Sequence, residues 1–370
     1  VILDIDKVLC RETSTDISAD LKFLKNKRIL IVGAGGSIGS ELCRQMLFAG
    51  AKRLFLFGHG EDSIYKTMND LTLLQRAGHG EKTALVPVIG EIQDKNFVQF
   101  LIERLNADVC FHTAAHKHVP LMEGNPVECI KNNVFGTKNL IDATKNSSIS
   151  RFIFISSDKA VDPSCTYGVS KAIAEELVLE AGGRDSRFRA VRFGNVLGTK
   201  GSVIPLWEDQ IKACAPVTIT HPDMKRFFMS KHEAVSLIIK VSSFENGGEL
   251  YALDMGEPFL MTDIAKRIGI QFGIKPDELK IEFIGIRPGE KLEERLWGND
   301  EVAEKIDSEK IMKITPNRKI PNMEEFLDNL YPICFYQEEK KDLFRNKVSL
   351  RDLLRKIYTN MEIQKNYVKY

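Results

Sequence analysis

Tyr167, Gly168, Val169, Ser170 and Lys171 set a phenol and an amine four residues apart, a spacing that puts both on one face of a helix. An ammonium beside a phenol lowers its pKa and makes phenolate accessible as a base near neutral pH. Just upstream stand Ser157, Asp158 and Lys159. Hydride transfer alone has no need of an adjacent acid and base. Beside a ring-shaped substrate, however, one can protonate a departing hydroxyl while the other removes a carbon-bound proton. For Lys159 to serve as that base its pKa must fall, which burial and nearby positive charge would achieve. The plain alternative for Asp158 and Lys159 is a solvated surface ion pair. With a nucleotide turn to hold a hydride acceptor, these residues point to a redox enzyme that also eliminates water.

Such a turn is present. Gly33-Ala34-Gly35-Gly36-Ser37-Ile38-Gly39 follows the apolar run Ile29-Leu30-Ile31-Val32 and opens a helical pattern from Ser40 to Ala49. Glycines at 33, 36 and 39 allow a tight turn whose backbone N–H groups approach a pyrophosphate, with Ser37 and Ile38 at the helix start. An acid after the second strand usually takes the adenosine ribose. Here that place holds Gly58-His59-Gly60 and then Glu61, with no arginine for a 2′-phosphate, which favours NAD and leaves NADP open. Glu91 and Ile92, after the third strand, are placed to meet the adenine; the alternative for Glu91 is a solvated loop acid.

Positioning these residues requires a regular scaffold. Apolar strands are expected at Lys27–Val32, Arg53–Phe57, Ala84–Ile89, Asp108–Thr113, Arg151–Ile155 and Arg189–Phe193, with amphipathic helices between them. Continuous apolar strands alternating with helices mean a doubly wound α/β fold around a parallel sheet covered on both faces. Beyond Arg189–Phe193 the loops carry Asn, Arg, Lys and Trp, which reads as a smaller substrate-binding domain. The expected division is a linker or strap over 1–26, a dinucleotide-binding domain over 27–193 and a mainly substrate-binding domain, interleaved with the core, over 194–300. A C-terminal helical extension over 301–370 includes a helix Leu350–Met361 with Ser349 and Asp352 as a capping box.

Composition excludes several classes. Across 370 residues, Lys+Arg 52 nearly balance Asp+Glu 51, so no basic surplus speaks for nucleic acid or an anionic membrane. Seven scattered cysteines without C-x-x-C pairs give no disulfide framework and no metal site. No apolar stretch nears the roughly 18 residues of a membrane span.

The stretch Ser156 to Ala160 with Tyr167 to Lys171 resembles the nucleotide-sugar 4,6-dehydratases of the extended short-chain dehydrogenase/reductase superfamily, especially the UDP-N-acetylglucosamine 4,6-dehydratases of bacterial polysaccharide and glycan biosynthesis. Gly33 to Glu41, Ala114-Ala115-His116-Lys117-His118-Val119-Pro120, Asn132 to Thr137, Arg192 to Val196, Gly201 to Pro205 and Arg287-Pro288-Gly289-Glu290-Lys291 agree, over roughly residues 5 to 300. The resemblance implies three steps: Tyr167, supported by Lys171 and Ser157, takes the C4 hydroxyl proton as hydride leaves; Lys159 removes the C5 proton while Asp158 protonates the C6 hydroxyl; and hydride returns to C6. It also implies Ala114 and Ala115 beside the cofactor, Lys117 and Asn195 facing sugar and phosphates, Arg226 the nucleotide, Arg287 the diphosphate and Glu290 the uridine ribose. Long retaining members often carry methionine in place of the tyrosine; Tyr167 departs from that pattern and leaves the C5 stereochemistry open.

The segment Asp4 to Arg11 resembles the linker of membrane-anchored members, so a cytoplasmic catalytic part of a larger inner-membrane protein is expected. A homodimer or larger even-numbered ring is expected through the helical segments Val127–Thr144 and Gly168–Leu179, whose Ile130, Val134, Leu140, Ile141, Ile173, Leu177 and Val178 offer apolar surface; the alternative is that these residues line the monomer core, as helices over a parallel sheet do. The rival readings are a UDP-hexose 4-epimerase, which has no use for Asp158 and Lys159, and a non-catalytic nucleotide-binding scaffold, which has none for an activated phenol.

Overall fold

The computed structural model describes residues 3–11, 13, 18–306, 310–317 and 319–361. Seven parallel strands form its centre: β1 (Arg28–Val32), β2 (Arg53–Gly58), β3 (Ala84–Ile89), β4 (Val109–His112), β5 (Arg151–Ile155), β6 (Phe188–Arg192) and β7 (Leu250–Leu253). The inner strands carry continuous apolar runs because helices cover both faces; Ile29 to Val32, Leu54 to Phe57 and Phe152 to Ile155 are all buried. Two further strands extend this edge, β9 (Ile311–Thr315) antiparallel to β7 and β8 (Val302–Lys305) antiparallel to β9, giving the order β8-β9-β7-β6-β5-β4-β1-β2-β3. The fold is the doubly wound α/β sheet expected, and the order reverses between β1 and β4, where such sheets open a crevice for ligands.

The C-terminal part departs from expectation. The segment read as helical starts with the β8–β9 hairpin, whose four- and five-residue strands are too short to register as a pattern. The final helix runs Lys347–Ile357 and is capped by Asn346, whose side chain accepts from the backbone N–H groups of Val348 and Ser349; Ser349 and Asp352 do not cap it.

Helices flank the sheet: α1 (Ser37–Phe48), α2 (Glu61–Arg76), α3 (Lys95–Leu105), α4 (Pro126–Ile130), α5 (Gly136–Lys145) and α6 (Thr166–Arg184). Where one helix was expected over Val127–Thr144, a π turn at Lys131–Phe135 separates α4 from α5. A smaller lobe has its own core of Ile204, Trp207, Val217, Met224, Phe228 and Ile264. It contains α7 (Val203–Lys212) and α9 (Met261–Gln271), while α8 (Lys231–Ser243) packs on the main core. The N-terminal segment, expected as a strap, docks on this lobe: its helix Ile5–Leu9 buries Val8 and Leu9 there, and Arg267 Nη1 donates to the Val8 carbonyl at 3.0 Å.

The surface expected to pair two subunits is not free. Ile130, Val134, Leu140, Ile141, Ile173, Leu177 and Val178 are all buried within this single chain. Helices α10 (Met323–Cys334) and α11 (Lys347–Ile357) lie across α4, and Phe335 and Tyr331 pack edge-on against Phe135 of the π turn. The chain's own C-terminal helices thus cover α4 and the π turn.

One buried ionic junction ties three regions together. Arg192 at the end of β6 donates to Glu175 of α6 at 2.7 Å and to Glu301 beside β8 at 2.8 Å, and its side chain is 3% exposed. Removing the cation strands two carboxylates in a dry site. Arg192→Ala is expected to lower the unfolding free energy by about 3–5 kcal/mol, read from urea melts; a loss below about 1 kcal/mol, the range of surface pairs, contradicts it.

Candidate active site

The turn after β1 is packed too tightly for side chains. A Cβ on Gly39 would lie 2.2 Å from the Gly33 carbonyl oxygen, and one on Gly33, at φ +86°, 2.7 Å from the Ala114 nitrogen. Gly36 caps α1 without a side chain, so the first N–H groups of that helix face outward as an anion cradle. Ser37 Oγ accepts from the Lys200 backbone N–H at 2.9 Å, and Lys200 Nζ donates to the Gly35 carbonyl at 3.3 Å. His59 and Glu61 are exposed after β2, with Glu61 in the first turn of α2. Glu91 is exposed, while Ile92 is a core residue against Gly136.

The π turn has a local purpose. It swings Asn133 so that its Oδ1 accepts from the His116 N–H at 2.8 Å and its Nδ2 donates to the His116 carbonyl at 3.0 Å and to Ser170 Oγ at 2.9 Å. One side chain therefore fixes both the loop carrying Ala114, Ala115 and Lys117 and the helix carrying Tyr167 and Lys171.

At the carboxyl edge of β1, β4, β5 and β6 a cavity of about 680 Å³ runs into the smaller lobe. Its lining brings together Ile38, Ala115, Ser157, Lys159, Tyr167 and Lys171, and further out Lys117, Asn195, Arg226, Arg287 and Glu290. His59, Glu61, Glu91 and Ile92 lie outside this lining. Helix α6 approaches the turn after β5 so closely that a Cβ on Gly168 would sit 2.2 Å from the Lys159 carbonyl oxygen, which accounts for glycine inside the Tyr-Lys pentad.

Two electrostatic expectations are corrected. Burial pushes the Tyr167 phenol up to about 12, against the opposing pull of a Ser157 hydrogen bond and the Lys159 charge. Lys171 is not its activating neighbour here: its Nζ donates to the Ile155 carbonyl at 2.6 Å and sits 4.0 Å over the Phe154 ring, and burial lowers its pKa to about 7. Lys159 departs from expectation in the other sense. Burial alone would lower its pKa, but the Asp158 and Glu294 carboxylates outweigh it and hold the side chain as an ammonium. Its Nζ lies 3.1 Å from Asp158 Oδ1 and 3.7 Å from Glu294 Oε1.

Asp158 itself does not line the cavity. It is 1% exposed, and its Oδ1 accepts from Ser157 Oγ at 2.9 Å and from Lys159, while Oδ2 has no hydrogen-bond partner. Glu294, absent from the expected set, does line it. The signal was its place just after the Arg287 to Lys291 block, but nothing in a sequence brings that block back onto the turn after β5. Arg226 is committed to the backbone, donating to the carbonyls of Lys225, Lys291 and Leu292 at 2.7, 2.8 and 3.1 Å, and so pins the loop that carries Glu294. Arg287 pairs with Glu290 at the mouth, Nε to Oε1 at 2.9 Å. Lys117 Nζ donates to the Lys200 carbonyl at 2.9 Å. Lys200, also missed, sits between Gly198 and Gly201, both at φ +66°.

A family model described as "Polysaccharide biosynthesis protein" matches residues 29–316. The chain belongs to this family. Capsular polysaccharide biosynthesis protein CapD of Staphylococcus aureus is 43% identical over 84% of this chain and 52% of its own length, so the chain spans about half of that relative. An inverting UDP-N-acetylglucosamine 4,6-dehydratase of Campylobacter jejuni is 32% identical over 79% of this chain and 84% of its own. A UDP-glucose 4-epimerase of Rickettsia rickettsii is 32% identical over 76% and 81%. Among solved structures, Pen from Bacillus thuringiensis shares 33% identity and a TM-score of 0.69, covering 80% of this chain and 90% of that one. The family thus takes in nucleotide-sugar dehydratases and epimerases. Among the described residues no helix is long and apolar enough to cross a membrane, and no group of His, Cys, Asp and Glu is arranged to hold a metal.

Burial of the family's Tyr-Lys lysine has a thermodynamic consequence. Lys171 has a folded pKa near 7 against 10.5 for a free lysine. Between those values the unfolded chain holds a proton that the folded chain has shed, so this group's contribution to stability rises with pH across that window. Urea unfolding at the two ends is expected to show wild type gaining on Lys171→Met as pH rises from about 7 to about 10. A constant gap between the two proteins contradicts the depressed pKa.

Proposed function

We propose that this chain is a nucleotide-sugar 4,6-dehydratase, acting on UDP-N-acetylglucosamine with NAD in the assembly of a bacterial surface polysaccharide or glycan. The observation that carries this reading is the cavity, where Tyr167 and Ser157, read as the pair for oxidation at C4, stand next to Lys159 and Glu294 with Asp158 just behind the wall. A 4-epimerase oxidises and reduces C4 and has no proton to move at C5 or C6. Cofactor choice rests on Glu61 after β2 and the absence of an arginine there, with Gly33, Gly36, Ser37, Ile38 and Gly39 cradling the diphosphate. Bound in that cradle, NAD would accept the C4 hydrogen and return it to C6. The cavity lining holds five Lys or Arg against three carboxylates, a surplus that suits the diphosphate of a UDP-sugar. For the mouth residues to serve it, Arg287 forks onto phosphate oxygens as Glu290 turns to the ribose.

The reading implies a proton path. Tyr167, neutral while its pKa is near 12, accepts the O4 proton as it passes its own across a hydrogen bond to Ser157. Ser157 hands a proton to Asp158, with which it is bonded at 2.9 Å. Asp158, now a carboxylic acid behind the wall, returns that proton through Ser157 to the C6 hydroxyl as water leaves. Lys159 takes the C5 proton, acidic beside the C4 ketone, and gives it back when C6 is reduced.

Purified protein given UDP-N-acetylglucosamine deuterated at C4 is expected to yield a 4-keto-6-deoxy sugar with the label at C6, without net use of NAD. A 4-epimer with its C6 hydroxyl intact overturns the assignment. In the same assay Tyr167→Phe and Lys159→Ala are each expected to lose on the order of 10²–10⁴-fold in product formation. The two differ in kind: only Lys159→Ala should accumulate reduced NAD on mixing. Near-wild-type turnover in Lys159→Ala removes that residue from the mechanism.

A further inference from the structure

A base must be a free amine, yet Lys159 stands as an ammonium between two carboxylates. Its proton has to go somewhere before C5 can be deprotonated. Asp158 is engaged with Ser157 and is needed as the acid at C6. The other neighbour is Glu294, which is 4% exposed, lines the cavity and approaches Lys159 Nζ at 3.7 Å, too long for a hydrogen bond. Its Oε2 is buried with no hydrogen-bond partner. A buried carboxylate with an unsatisfied oxygen and a loosely held cation is poorly compensated for its lost hydration.

We propose that Glu294 is the positioning residue for Lys159: it holds the ammonium on the cavity wall in the free enzyme and takes up its proton when substrate fills the cavity. The step balances without a further reactant. One N–H bond of Lys159 breaks, one O–H bond of Glu294 forms, and an ion pair becomes an amine and a carboxylic acid. Substrate supplies the drive by excluding water, because the low dielectric penalises the two charges more than the neutral pair. After Lys159 returns the C5 proton, Glu294 returns its own and the resting pair is restored.

The groups facing Glu294 agree with this division. Asp158 and Lys159 come from the turn after β5, Arg226 from the strand Lys225–Arg226, Lys291 from its own loop, where its Nζ is 3.9 Å from Oε2, and Cys165 from the cap of α6. Burial raises the Glu294 pKa above the usual carboxylate range, with Asp158 adding to the shift and Lys159, Arg226 and Lys291 opposing it. Arg226 holds the loop without donating to Glu294, its guanidinium being spent on backbone carbonyls.

This inference rests on the dehydratase reading, and the test separates the two. Glu294→Gln and Glu294→Asp are compared with wild type by reduced-NAD absorbance on mixing with UDP-N-acetylglucosamine, and by product formed from about pH 7 to 9.5. Glu294→Gln is expected to reduce NAD at nearly the wild-type rate, to lose about 10²-fold in product at neutral pH and to accumulate reduced NAD. Removing one anion lowers the Lys159 pKa, so raising the pH is expected to recover product selectively in Glu294→Gln. Glu294→Asp is expected to lose less than Glu294→Gln, short of the roughly 10²-fold at the smaller end of acid–base contributions. Wild-type product formation in Glu294→Gln, a loss that does not change with pH, or loss of NAD reduction in both variants overturns the proposal. A wild-type protein that only epimerises overturns the dehydratase reading instead.

Discussion

Charge buried along the carboxyl edge of the sheet is the constraint on which the rest of the structure depends. Arg192 on β6 and Lys171 on α6 are withdrawn from water, and Lys159 after β5 keeps 19% of its side chain exposed. Such groups persist only where partners are delivered with good geometry. Arg192 receives Glu175 and Glu301, and so couples the last strand before the smaller lobe to α6 and to the start of the β8–β9 hairpin. Lys159 receives Asp158 from its own turn and Glu294 from a loop far along the chain.

Holding those partners takes supporting structure. Arg226 gives its guanidinium to three carbonyls and anchors the Lys291–Leu292 backbone, which keeps Glu294 at the wall. On the opposite side the π turn aims Asn133 at His116 and Ser170, locking the Ala114–His118 loop to α6. The C-terminal helices α10 and α11 in turn cover the π turn and α4, and Arg351 donates to the Glu123 carbonyl at 2.9 Å. Parts of the chain outside the cavity thus determine where the groups that line it stand.

Expectation and structure diverge where a residue's behaviour depends on what arrives from elsewhere. The Tyr-Lys spacing predicts a shared helix face, and both residues do line one cavity. It does not predict that Lys171 turns to the Ile155 carbonyl, or that burial raises the phenol more than any cation lowers it. The types of Asp158 and Lys159 suggest an acid and a base, but not that Asp158 lies behind the wall. Likewise, apolar positions on α4, α5 and α6 announce burial without saying against what; they are buried within this chain, with α10 and α11 lying on α4.

Local information alone determined the order of strands and helices through the first half of the chain, the glycine turn and the pentad, because periodicity of two or 3.6 residues and the steric demands of a turn are written over a few neighbouring positions. The edge hairpin β8–β9, the π turn, the Asn346 cap and the partners of Lys159 and Arg192 were decided by tertiary structure. Short strands gain their pairing from a sheet edge already built, and the charge on a buried lysine is set by carboxylates that only folding brings within 4 Å.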